Sequence, residues 1–213
     1  LKELSLSYID AKNDISGDWK IIAGLASLDS LILDDFRDKN KPRPDEPEKP
    51  LFEGMVEQIP FPIKLDTIRI SNSQIVYREL VPGNAKPGTL KFDQVSGEIL
   101  NVISSDSLQT GAMTMSASAV FNGVAKMNMD INVPYGEKSF TLEARVHAFE
   151  LSGINDILER MANVRVESGK LKEMVLHMNV SRYRSSNQLT FQYENLKLEL
   201  LGVDHSKKKF KSA

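Results

Sequence analysis

The sequence predicts a mainly β protein, and three observations carry that expectation. Apolar side chains recur at every second position from Met113 to Phe121, again from Met127 to Val133, and again from Phe140 to Ala148. Asn122-Gly123 and Pro134-Tyr135-Gly136-Glu137 separate these runs. A single stretch, after Ser152, follows helical spacing. Period-two alternation places the apolar side chains of a strand on one face. Asn-Gly suits a tight hairpin because both of its residues tolerate positive φ. The expected architecture is a long, curved antiparallel sheet, apolar on one face and polar on the other, with one short helix capping an end.

The remaining elements follow in order. Leu4, Leu6 and Tyr8 alternate, a turn falls at 14–18, and Trp19, Ile21 and Ala23 alternate again. Leu28, Leu31, Leu33 and Phe36 continue as strand with a slipped phase, which defines an N-terminal β segment over 1–37. Residues 38–59 form a charged, proline-rich linker, since prolines cannot donate to a ladder and mixed charge keeps a segment solvated. Within it, 51–56 reads as a short helical turn or a loosely ordered stretch. A larger β domain is expected over 60–202. It opens with Leu65, Ile68, Ile70, Ile75 and Tyr77, and a bulge is expected near Asn72-Ser73. Leu90, Phe92, Val95, Ile99 and Val102 carry the next strand towards a loop at 104–107.

Ser152 stands where a helix N-cap is wanted, and Ile154, Ile157, Leu158 and Met161 repeat at i, i+3, i+4 and i+7. Asn163 suits the C-terminal stop. Two strands follow: 164–180, interrupted at Ser168-Gly169, and 189–201, with a register shift at Asn195. A basic tail, 203–213, closes the chain.

Composition narrows the function. A chain of 213 residues with a net charge of −2 has no excess of basic residues, which argues against a nucleic-acid surface. The absence of cysteine removes disulfides, thiolate metal sites and cysteine nucleophiles. The chain starts at Leu1 and has no apolar run long enough for a signal or membrane helix, so it is expected to be part of something longer. His147, His177 and His205 lack metal-ligand spacing, although the first two are expected on one polar sheet face. No phosphate loop, nucleophile elbow or HExxH helix is present. The expectation is a non-enzymatic protein with no cofactor and no metal.

The apolar face poses the physical question. Its area, on the order of 1,000 Å², exceeds the apolar patches normal on a monomer. The sheet could close on itself as a barrel or sandwich, pack on another copy or protein, or stay open around an apolar ligand. Met113, Met115, Met127, Met129, Met161 and Met178 are soft side chains that accept variable apolar partners. Ala117, Ala119, Ala144 and Ala148 are small enough to leave room above the sheet. An ordinary core, with methionines filling gaps opposite alanines, fits the same pattern.

Two stretches, LDTIRISNSQIVYREL (65–80) and PGTLKFDQVSGEILNV (87–102), resemble a recurring signature of AsmA-like envelope proteins. The meander, then FELSGINDILERMANVRVESGKLKEMVLHMNV (149–180) and YENLKLELLG (193–202), are similar to the C-terminal region of that family in its Bacteroidetes-like versions. The resemblance covers most of 60–202. It implies a taco-like β groove, or its open-sandwich equivalent, related to TamB and the bridge-like lipid-transfer proteins. It further implies a periplasmic location and an inner-membrane anchor outside this segment. The implied partners are phospholipid or another acyl lipid, together with envelope proteins. The face expected to hold acyl chains comprises Met113, Met115, Ala117, Phe121, Met127, Met129, Ile131, Phe140, Leu142, Val146, Leu176, Met178 and Phe191. The alternative is a structural or interaction β-sandwich domain of an envelope assembly. The proline-rich linker and the basic tail have no place in a groove.

Overall fold

The computed structural model describes residues 3–13, 19–42, 54, 56, 58, 59, 61–104 and 109–202. The expected turn at 14–18, the linker beyond residue 42 (apart from 54, 56, 58 and 59), positions 105–108 and the basic tail lie outside the described residues. Among the described residues, ten strands hydrogen-bond into one open sheet. They are β1 Glu3–Asn13, β2 Trp19–Asp29, β3 Ile32–Asp38, β4 Ile63–Leu80, β5 Gly88–Ile103 and β6 Ala112–Phe121, then β7 Ala125–Pro134, β8 Ser139–Glu150, β9 Val164–Ser181 and β10 Arg184–Leu200. The order across the sheet is β1-β2-β4-β5-β6-β7-β8-β9-β10, with β3 flanking β4. A 3-10 turn, Leu151–Ile154, leads into the helix α1, Asn155–Ala162.

From β4 to β10 each strand pairs antiparallel with the next, as the alternation and turns predict. Asn122 (φ 46°) and Gly123 (φ 71°) both take the left-handed conformation in the β6–β7 hairpin. The expectation of an all-antiparallel sheet is corrected at the N-terminal side. Both β2 and β3 run parallel to β4, which makes the sheet mixed. Parallel neighbours need a crossover connection. The stretch between Asp38 and Ile63 is that crossover, so the proline-rich segment joins strands of one sheet.

Together β2 and β3 line the whole of β4, with a break at Ser30 (φ 55°) opposite the predicted bulge at Asn72 (φ 49°). Asp29 holds the break. It accepts hydrogen bonds from the Ser71 hydroxyl at 2.7 Å and the Asn72 amide at 2.8 Å. The buried Ser73 hydroxyl accepts from the Leu31 N–H at 3.1 Å and donates to the Ser71 carbonyl at 2.8 Å. Backbone groups freed by the irregularity are thereby satisfied. A second bend, at Asn101 (φ 59°), is filled by Tyr135 from the β7–β8 turn. Its hydroxyl accepts from the Ile103 N–H at 2.8 Å and donates to the Asn101 carbonyl at 2.5 Å, and burial raises its pKa.

The far ends of β3 and β4 are joined by an ion pair, Lys39 Nζ to Glu79 Oε1 at 2.7 Å. Tyr77 also donates to Glu79, at 2.7 Å. The Glu79 side chain is only 7% exposed, whereas Lys39 is 41% exposed. The Lys39 hydrogen bond holds the Glu79 carboxyl below the usual range, and the bond to Glu79 raises the Tyr77 phenol. A carboxyl depressed in the folded state stabilises above its unfolded pKa, and this contribution is lost as pH falls through the folded value. Glu79→Gln is therefore expected to cost about 1–2 kcal/mol at neutral pH, the lower end for a charged hydrogen bond because Lys39 is half in water. The difference between variant and parent should shrink on acidification, as denaturant melts at several pH values would record. A gap that stays constant into acid would show that the charge on Glu79 contributes nothing.

Candidate functional site

The pairing registers carry side chains across the sheet in rows. One row runs Ile68–Ile99–Met115–Ile131–Leu142–Met178. A second runs Gly97–Ala117–Met129–Ala144–Leu176, and a third Ala119–Met127–Val146–Met174–Phe191. Period-two alternation in each strand, kept in register by short hairpins, places the predicted apolar residues on one continuous face.

Two clusters form on that face. Met113, Ile131 and Phe140 are buried with Val102 and Val133, and Met115, Met129 and Leu142 pack against them. Val56, from the crossover, covers this cluster. Val146 is buried in the other cluster with Ala125, Phe149, Leu151, Val166 and Leu171, and Met127 packs against it. Ala117, Leu176 and Met178 are half-buried, and Phe191 is 39% exposed. Every residue predicted for the face is therefore on it. The alternation slips once, at the end of β8: Ala148 is exposed and Phe149 is buried in its place.

The helix caps one end of the face, as expected, although by a different anchor. Ser152 is exposed and caps nothing; it falls inside the 3-10 turn, and α1 starts without a side-chain cap. Asn155 fastens the helix instead. Its amide donates to the Val166 carbonyl at 2.9 Å, and its side-chain carbonyl accepts from the Val166 N–H at 2.7 Å. The pair imitates a strand neighbour on β9. At the other end of α1 the Asn84 amide donates to the Arg160 carbonyl at 2.5 Å, and Met161 lies against Gly88, where a Cβ would collide with it. Asn163 (φ 53°) ends the helix in the left-handed conformation, as predicted.

Between α1 and the sheet lies an apolar cavity of about 370 Å³. Ile154, Leu158 and Ala162 form its roof, with Phe121, Val146, Phe149, Leu171 and Met174 beneath, and Phe191, Leu196 and Leu198 at its side. Among the described residues no polar side chain lines it. Phe191 and Leu198 are 39% and 53% exposed, so the cavity opens at β10. Its size lies within the range of small-molecule sites. Phe121, Val146 and Phe191 belong to the predicted face. The contribution of the helix and of β9 is missed by strand alternation, although the apolar stripe of α1 is itself plain in the sequence.

The opposite face is polar. Arg145 pairs with Glu173 and, at 3.5 Å, with Glu143, and the Glu173 bond raises its pKa. His177 meets Glu143 at 3.3 Å, and His147 meets Asn128 at 3.0 Å. The two histidines share this face, as expected, on different partners. Among the described residues no group of three or more His, Asp or Glu side chains is gathered as a metal site.

Fold and site define a class: an open, amphipathic mixed β-sheet with a helix-capped apolar cavity. No protein-family model, curated protein or solved structure matches the chain. Among the described residues no helix is long and apolar enough to cross a membrane.

Proposed function

We propose that this chain is a periplasmic segment of an AsmA-like envelope protein. In this reading it holds or passes phospholipid acyl chains along its apolar sheet face, in support of outer-membrane lipid homeostasis, under an inner-membrane anchor outside the segment. The cavity under α1 carries the reading. An opening walled, among the described residues, by apolar side chains offers little to a polar substrate and suits an alkyl chain, whose burial yields roughly 0.8 kcal/mol per methylene. The mechanism is passive, and no residue is assigned covalent chemistry.

The test is native mass spectrometry of the purified chain, followed by solvent extraction of bound lipid. Ala162 is exposed and lines the cavity, so Ala162→Trp fills the space from its rim with little disturbance to the core. Phospholipid is expected on the parent and lost on the variant, with both melting alike. An equal lipid load on both would remove the cavity from the path.

One observation favours a second reading, an interaction domain of an envelope assembly. β10 is an edge strand on which Leu189, Phe191, Tyr193, Leu198 and Leu200 are 39–58% exposed, and such edges are pairing sites. A lipid-free chain that self-associates in the same spectra would favour that reading.

A further inference from the structure

The polar face contains one row unlike its neighbours. Thr114, Asn132, Thr141, Asn179 and Ser186 lie side by side across five consecutive strands, β6 to β10. All five are uncharged, and none of their side chains makes a hydrogen bond within the described residues. The next row is committed internally: Ser116 donates to Asp130 at 2.7 Å, Glu143 pairs with His177, and Arg69 pairs with Glu98 at 2.8 Å. Between the two rows the surface sinks into a depression of about 610 Å³. At its β5 side the free row continues to Leu100, which is 41% exposed on the polar face.

We propose that this row binds a neutral, extended glycan lying across the strands. Amides and hydroxyls that point to solvent without internal partners supply both donors and acceptors, which a polyol needs in equal measure. Neighbouring strands are ≈ 4.7–4.9 Å apart, close to the repeat of about 5 Å of a pyranose in an extended chain, so each strand presents one polar side chain per sugar. Leu100 offers an apolar surface to the C–H face of a terminal ring. Charge decides against an anion. The charged residues lining the depression are Asp130, Glu143 and His177, and the histidine is already paired with Glu143. A phosphate or uronate would meet two carboxylates and no free cation in that lining. The site lies on the face opposite the acyl-chain cavity and stands or falls independently of the lipid reading.

The test uses the whole chain, with neutral hexasaccharides of β-linked glucose and of N-acetylglucosamine as probes and hexagalacturonate as the anionic comparison. Side-chain amide signals of Asn132 and Asn179 are followed by NMR during titration. Saturable shifts of both are expected with at least one neutral probe and not with the uronate. Asn132→Ala/Asn179→Ala should weaken binding about tenfold or more while leaving the melting temperature unchanged, as loss of two exposed hydrogen-bonding groups implies. No shift with either neutral probe at roughly 10 mM, the weak limit of specific affinity, would overturn the proposal. So would backbone-amide shifts of Thr114 and Thr141 that persist undiminished in the double variant, or side-chain shifts that the uronate reproduces.

Discussion

Gly97→Val is expected to abolish cooperative folding or to lower stability by about 3–5 kcal/mol, a loss that only a few mechanisms produce. Gly97 is paired with Ala117 in the middle of the sheet. A Cβ there would overlap the Ser116 carbonyl oxygen and stand 2.9 Å from the Ala117 Cα. Both obstacles are backbone, so no rotamer change relieves them. β5 would have to withdraw from β6, breaking ladder hydrogen bonds and parting Leu65, Ile68, Ile99 and Val102 from Met113 and Ile131 in the cluster they share. Loss of the denaturant transition in circular dichroism is the expected result. A variant that melts with the parent would show that the two strands part without penalty, contrary to this packing.

The second large effect is expected at Leu171, which is 1% exposed and lies in the wall of the cavity. Leu171→Ala should cost about 2–5 kcal/mol, the transfer energy of the lost carbons plus that of the space left behind. The change also enlarges the cavity, so two readouts should move in opposite directions. The melting temperature should fall while uptake of an apolar fluorescent probe by the folded protein rises. A fall in both would mean that the cavity collapses around the missing side chain.

The sequence showed the meander well because its determinants are local. Asn122-Gly123 prescribes a hairpin, alternation prescribes a face, and bulges at Asn72 and Asn195 follow from residues that tolerate positive φ. Adjacent strands then pair in register without long-range information. The parallel pairing of β2 and β3 with β4 is of another kind. Nothing in Ile21–Asp38 indicates which edge it will join or in which direction, because that depends on contacts made across the crossover. The helix anchor was hidden for a similar reason. Ser152 satisfied a local rule for an N-cap, but Asn155 found two backbone groups of Val166, eleven positions away, which no periodicity encodes. The apolar face was legible strand by strand. Its cavity was not, since it arises where α1 fails to fill the space above β8, β9 and β10.

The mixed topology has a consequence for the order of assembly. The strands from β4 onwards close over turns or, between β8 and β9, over the segment that holds α1, whereas β2 and β3 reach β4 only through the longer stretch between Asp38 and Ile63, and loop closure grows costlier with length. On a ribosome the N-terminal strands emerge first yet lack their template until Ile63–Leu80 has followed. The hairpin of β1 and β2 must wait, with its β2 edge unpaired, while the later strands zip together. Pulse-labelled hydrogen exchange during refolding should therefore protect the amides of β6 to β8 before those of β2 and β3. Simultaneous protection would instead make the whole sheet a single cooperative unit, acquired in one step.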